Sequence, residues 1–159
     1  MPRGSEELTN SRKNEIISAC AKLYETMSFK EITLKEIGEK TSFTRTSIYN
    51  YFQTKEEIFL ALFQREYELW IRDLEILYQE NERMSVNEFA GAVAHTLEKR
   101  ECLLKLLAMN HYDMEANSRM KNLVAFKVAY GNSLRAVSCC LGKFFPSMSV
   151  GDIQGFIYA

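Results

Sequence analysis

The stretch Thr33–Lys55, TLKEIGEKTSFTRTSIYNYFQTK, decides the fold. Thr33 and Glu36 stand at the T-x-x-E spacing of a capping box, in which each side chain satisfies a backbone N–H at a helix start. Leu34 and Ile37 follow at helical spacing and give this first helix an apolar side. Thr41-Ser42-Phe43 then breaks the pattern with a turn-tolerant serine and an aromatic that reads as buried. Thr44 is placed to cap a second helix, with Ile48 and Phe52 on its inner face. Arg45, Thr46, Ser47, Tyr49, Asn50 and Tyr51 are left largely outward. From Lys40 to Lys55 there is no acidic residue. An exposed side of one cation, hydroxyls, an amide and phenols suits a polyanion with hydrogen-bonding base edges. A second T-x-x-E, Thr54 to Glu57, opens the next helix and sets Lys55 in its first turn, where free N–H groups and an ammonium suit a phosphate.

Upstream, Ile16, Ile17, Cys20, Leu23, Tyr24 and Met27 form a stripe of helical period. The pattern predicts a helix from near Ser11 to about Ser28, with Phe29 and Ile32 plugging the base of a three-helix unit. Residues 1–10 are polar and without periodicity, and read as a flexible arm in which Arg3 is offset by Glu6 and Glu7.

Downstream, an uninterrupted helical pattern runs from Lys55 to about Asn81, with Phe59, Leu62, Phe63, Trp70, Leu74, Leu77 and Tyr78 along one broad side. At 1.5 Å per residue it spans roughly 40 Å, enough to belong to both a DNA-reading head and a second helical body. Ser85 and Glu88 form another capping box and start a helix through about Lys99. The next is predicted from Glu101 to about Tyr112, with Cys102, Leu103, Leu106, Leu107 and Met109 inward. Asp113–Ser118, DMEANS, reads as a polar loop. Arg119–Phe145 is amphipathic and is stopped by Pro146, and Ser149 with Asp152 marks one more helix start. The expected fold is all-α, with an arm over 1–10, a helix-turn-helix domain over 11–53 and a helical body over 54–159.

A chain of 159 residues with 47% hydrophobic residues can bury a real core, and a net charge of −1 excludes a globally basic nucleic-acid binder but not a local patch. The four cysteines lack C-x-x-C spacing, and no secretory signal or membrane-length apolar run is present. A reducing, cytoplasmic setting fits that pattern, with no membrane contact.

The quoted stretch resembles the helix-turn-helix of the tetracycline-repressor (TetR) family of bacterial regulators. The T-L-x-x-I-G entry, the T-R-T-S-I-Y-N-Y-F segment and the T-K-E-E-I exit carry the likeness, within a match from about Asn14 to Phe63. The chain departs from the family in having Ser42 where glycine is common and Tyr51 where histidine is frequent. The resemblance implies base or near-base contacts from Thr44, Arg45, Thr46 and Ser47. It implies phosphate contacts from Thr33, Tyr49, Tyr51 and Lys55, with Lys35 and Asn50 as further candidates. It also implies a transcriptional regulator, a repressor controlled by a small-molecule effector, that reads a palindromic operator in double-stranded DNA as a homodimer. Members usually close with two pairing helices; here the last is missing from the pattern, so the C-terminal part is expected to be truncated. That ending motivates an alternative, an interaction module acting through protein partners rather than by direct operator binding.

For the body, the resemblance points to an effector site among Phe63, Tyr67, Trp70, Leu107, Phe126 and Tyr130, with Asn110 and His111 at a pocket mouth. Each aromatic also reads as plain core, and His111 as a solvated helix end. Adjacent Cys139 and Cys140 point about 100° apart on a helix, so at least one of them packs. The two histidines, His95 and His111, show no metal-ligand spacing, and no phosphate-cradling loop or catalytic triad pattern occurs. Neither a metal, nor a cofactor, nor an enzymatic activity is expected.

Overall fold

The computed structural model describes residues 3–109 and 112–159, and every regular element among them is an α-helix, as expected. In chain order these are α1 (Arg3–Tyr24), α2 (Leu34–Glu39), α3 (Arg45–Ile48), α4 (Lys55–Glu80), α5 (Val86–Glu98), α6 (Glu101–Leu107), α7 (Tyr112–Ala116), α8 (Met120–Phe144) and α9 (Val150–Tyr158). The capping boxes at Thr33/Glu36, Ser85/Glu88 and Ser149/Asp152 form as the spacing predicts. Packing divides the chain into two units, residues 1–63 with 108–126 and residues 64–107 with 127–159. The division therefore falls within α4 at Phe63 rather than after Gln53, because the first turns of α4 supply core to the head.

In the first unit, α1 buries Ile16, Ile17, Ala19, Cys20 and Tyr24, and Ile32 closes the base. The Phe59 ring meets Tyr24 edge-on at 5.2 Å and Phe29 at 4.8 Å, geometries that favour the positive ring edge against a π face. α1 starts at Arg3 instead of near Ser11, so residues read as an arm are its opening turns. The expected polar loop DMEANS is also corrected. Most of it lies in α7, where Met114 is buried at 1% exposure, and one apolar side chain in a polar run is too little signal to show a helix. α6 ends at Leu107, before the predicted Tyr112, and leaves Leu107 exposed rather than inward.

The second unit is built on Leu74, Phe89, Cys140, Leu141 and Phe144, with Trp70, Val137, Phe145 and Ile153 against them. Phe89 contacts Phe144 and Phe145 at ring separations of 5.9 and 5.5 Å. Asp73 receives Arg100 at 2.9 Å, which fixes the start of α6 on α4. Of the adjacent cysteines, Cys140 is buried and Cys139 exposed, as their spacing requires.

Two local features set the helix-turn-helix. Gly38 is buried at the α2–α3 crossing, where an added Cβ would sit 3.3 Å from Arg45 Cα and 3.4 Å from Ile48 Cδ1. The turn dispenses with glycine because Ser42 needs no left-handed backbone. Its N–H and hydroxyl instead donate to the two Glu15 carboxylate oxygens on α1, at 2.5 and 3.1 Å. Gly38→Val should therefore force α3 off α2 and lower the stability of the head by about 1–3 kcal/mol, the usual cost of overpacking. Urea unfolding followed by circular dichroism measures it, and an unchanged midpoint would show that the crossing is slack.

Candidate nucleic-acid interface

Ile48 and Phe52, at 0% and 3% exposure, anchor α3 in the core of the first unit. α3 spans four residues, and i→i+3 backbone bonds from Tyr49, Asn50 and Tyr51 carry the turns on to Tyr51. This geometry exposes Arg45, Thr46, Tyr49 and Asn50 and half-exposes Ser47. Thr33 and Lys35 are exposed at the start of α2, and Thr44 is exposed at the start of α3. Thr44 is the N-cap residue of α3, but its hydroxyl makes no cap bond; it pairs with the Ser47 hydroxyl at 3.1 Å.

Two expected phosphate ligands are placed differently. Lys55 Nζ turns inward, donating to the Phe29 carbonyl at 2.7 Å and lying 4.1 Å from the centre of the Phe29 ring. That combination of a carbonyl and a π face satisfies the ammonium without an anion. Tyr51 is half-buried, with its ring edge-on to Phe43 at 6.4 Å, and Arg12 stands over the other aromatic of that pair at 5.7 Å. The exposed set is thus Thr33, Lys35, Thr44, Arg45, Thr46, Tyr49 and Asn50, with Ser47 and Tyr51 partly so.

Behind this face lies a polar node that the sequence does not announce. Thr54 Oγ1 accepts from the Glu57 N–H at 3.1 Å, giving half a capping box. The Glu57 carboxylate does not return to Thr54. It is fully buried and accepts from the Gln53 N–H at 2.8 Å, from the Arg119 N–H at 2.7 Å and from the Arg119 guanidinium at 2.9–3.2 Å. Arg119 Nη2 also donates to the Tyr51 carbonyl at 3.2 Å, and Thr54 Oγ1 to the Asn117 carbonyl at 2.9 Å. Burial pushes the Glu57 carboxyl up, but Arg119 and the two backbone N–H groups outweigh it and hold the pKa down to about 2. The T-x-x-E spacing disguised this carboxylate as a simple cap, and nothing local links residue 57 to residue 119.

The residues expected around an effector are distributed between the two units. Phe63 and Phe126, both buried, pair at 4.9 Å in the first. In the second, Tyr67 is buried edge-on to Tyr130 at 5.7 Å, and burial with the neighbouring Tyr130 phenol pushes its hydroxyl up to about 12. Trp70 donates its indole N–H to Thr96 Oγ1 at 3.0 Å. Asn110 and His111 lie outside the described residues. A groove of about 690 Å³ does open in the second unit along α4 and α8, but its lining includes none of these residues. Ile71, Leu74 and Ala136 give it an apolar part, and its charged lining pairs Arg72 and Arg135 with Glu68 and Glu75.

Comparison with known proteins agrees with this architecture. Residues 16–62 match the model for bacterial regulatory proteins of the tetR family, and residues 64–159 match the tetracyclin repressor-like C-terminal domain. An uncharacterized HTH-type transcriptional regulator, YfiR of Bacillus subtilis (strain 168), is 27% identical over 74 residues. Those cover 46% of this chain and 36% of that relative. The fold is shared with the fatty acid degradation regulator FadR from Bacillus halodurans, at a TM-score of 0.62 and 15% identity, over 92% of this chain and 78% of that one. The chain belongs to the TetR family of bacterial regulators. The proteins it resembles are regulators and not enzymes.

The depressed Glu57 pKa fixes the sign of a pH effect. Because the folded value lies below the ordinary 4.5, the ionised group stabilises the fold fully above pH 4.5 and loses that contribution as pH falls toward 2. The stability difference between the parent and Glu57→Gln should therefore be largest above about pH 5 and shrink steadily below it. Urea unfolding of both proteins from pH 7 to pH 2 tests this; a difference independent of pH would mean the carboxylate is not ionised in the node.

Proposed function

We propose that the chain is a sequence-specific DNA-binding transcriptional regulator, a repressor released by a small molecule, working in the cytoplasm as a homodimer on a palindromic operator. One observation carries the reading. The outward side of α3 presents Arg45, Thr46, Tyr49 and Asn50 with no carboxylate among them, on a segment fixed from behind by Ile48 and Phe52. Arg45 is the side chain able to grip guanine O6 and N7 together, a contact worth about 1–3 kcal/mol of discrimination. Thr44, Thr46 and Ser47 are its neighbours at the base edges, and Thr33, Lys35, Tyr49, Asn50 and Tyr51 approach the phosphates.

A segment as short as α3 reads few bases, so operator recognition needs two heads at a set spacing. α9 supports self-association, because it has no buried residue and exposes Val150, Phe156 and Tyr158 at 73%, 57% and 71%. An effector then acts by favouring one separation of the heads over another. No helix among the described residues is long and apolar enough to cross a membrane.

Selection of bound duplexes from a random pool at near-physiological salt should recover a palindromic site with the parent. Arg45→Ala should lose about 1–3 kcal/mol of specificity at one base pair of each half-site. Equal enrichment by both proteins would remove Arg45 as a reader. Absence of enrichment by the parent would favour the interaction-module reading, in which partners are proteins.

For the effector, the groove of the second unit is a candidate for an amphipathic molecule: Ile71, Leu74 and Ala136 suit an aliphatic chain, and Arg72 and Arg135, which share the lining with Glu68 and Glu75, suit a carboxylate end. The FadR structure whose fold this chain shares is that of a fatty acid degradation regulator, which agrees with that chemistry. Titration with fluorescent long-chain fatty acids should show saturable binding that weakens by about tenfold or more in Arg72→Ala/Arg135→Ala, the scale of one lost charged hydrogen bond. Equal affinity in the double variant would exclude the groove.

A further inference from the structure

The Glu57–Arg119 node lies directly behind the DNA-reading segment, and its members come from three separate stretches of chain. Tyr51 and Gln53 belong to the turn that ends the α3 segment, Glu57 to the first turn of α4, and Arg119 to the residue preceding α8. One guanidinium spans all three, binding the Glu57 carboxylate through Nε and Nη2 and the Tyr51 carbonyl through Nη2. The Thr54–Asn117 bond repeats the link one step away. Asn117 and Ser118 are themselves tied back to α7, through Asp113 O at 2.7 Å and Met114 O at 2.6 Å.

The end of the reading segment is therefore bonded to the α7–α8 connection as well as to its own helix.

On the regulator reading proposed above, we infer that Arg119 is a positioning residue for DNA recognition: its bond to the Tyr51 carbonyl, made while it is held by the Glu57 carboxylate, sets the pose of the α3 segment. Ile48 and Phe52 fix the depth of the segment, whereas the carbonyl bond fixes its rotation at the C-terminal end.

The test separates positioning from stability. Arg119→Met leaves the Glu57 carboxylate buried and unpaired and should destabilise the head. Glu57→Gln/Arg119→Met removes both charges, keeps an acceptor for the Gln53 N–H, and should recover much of the thermal stability. Binding is measured to the duplex recovered by selection and to a scrambled duplex, with hydrogen exchange followed over residues 45–53. The double variant should bind the selected duplex about tenfold more weakly, as expected for loss of one charged hydrogen bond, with the scrambled duplex unchanged and exchange accelerated over 45–53 alone.

A purely structural role for Arg119 predicts that the stable double variant keeps the parent's ratio of selected to scrambled binding and its exchange pattern. That outcome overturns the inference. A parent that distinguishes no DNA sequence removes the regulator reading and this inference together, and is told apart by the parent measurement itself.

Discussion

A fully buried carboxylate is the constraint on which the head depends. Glu57 has no exposure, and an ionised side chain so placed is tolerable only if its lone pairs are filled. Its partners are drawn from Gln53 and Arg119, so the turn that leaves the reading segment and the residue preceding α8 must converge on one point for the charge to be satisfied. Buried ion pairs are often no more stabilising than a hydrophobic pair of the same volume. What the ion pair adds is direction: hydrogen bonds specify where the Tyr51–Gln53 turn ends, and apolar contact would not.

That matters because α3 has no stability of its own. Four residues are far below the length at which a helix persists in water, so its conformation is imposed by its surroundings. Three devices impose it from different sides. Gly38 lets α2 come within van der Waals contact of Arg45 and Ile48, Glu15 holds the entering turn through Ser42, and the Arg119 node holds the leaving turn. Between them the outward side chains are presented on a framework with few degrees of freedom left. Preorganisation of this kind spares a DNA reader part of the ordering entropy at binding.

Much of the fold was legible in the sequence because it is written locally. Capping spacings announced α2, α5 and α9, and apolar periodicity announced α1, α4 and α8. The order of residues in the reading segment was enough to recognise the family. What stayed hidden is non-local. α7 escaped because a five-residue helix has room for one buried side chain, Met114. The Glu57–Arg119 pair escaped because its carboxylate sits at a spacing with a sufficient local explanation. Lys55 pointed the wrong way for a similar reason: the pattern placed it at a helix start, while the Phe29 carbonyl and ring that capture it lie 26 residues earlier. In the body, aromatic periodicity alone could not tell a cavity wall from a packed core, because both need the same residues on the same face.

The inward turn of Lys55 bears on how the head can bind at all. Non-specific attraction to DNA scales with the number of phosphates neutralised, and each lost cation flattens the salt dependence by roughly one unit. With Lys55 engaged, Arg45 is the cation on the reading segment, with Lys35 on α2 and the exposed Lys40 at its end, in a chain whose net charge is −1. On the proposed reading such a head draws much of its affinity from fitted contacts: the Thr and Ser hydroxyls, the Tyr49 phenol, the Asn50 amide and the Arg45 guanidinium. Fitted contacts are sensitive to pose in a way that point charges are not. A regulator built this way can be switched by a small rotation of α3, and the buried node at its back is where such a rotation is held in check.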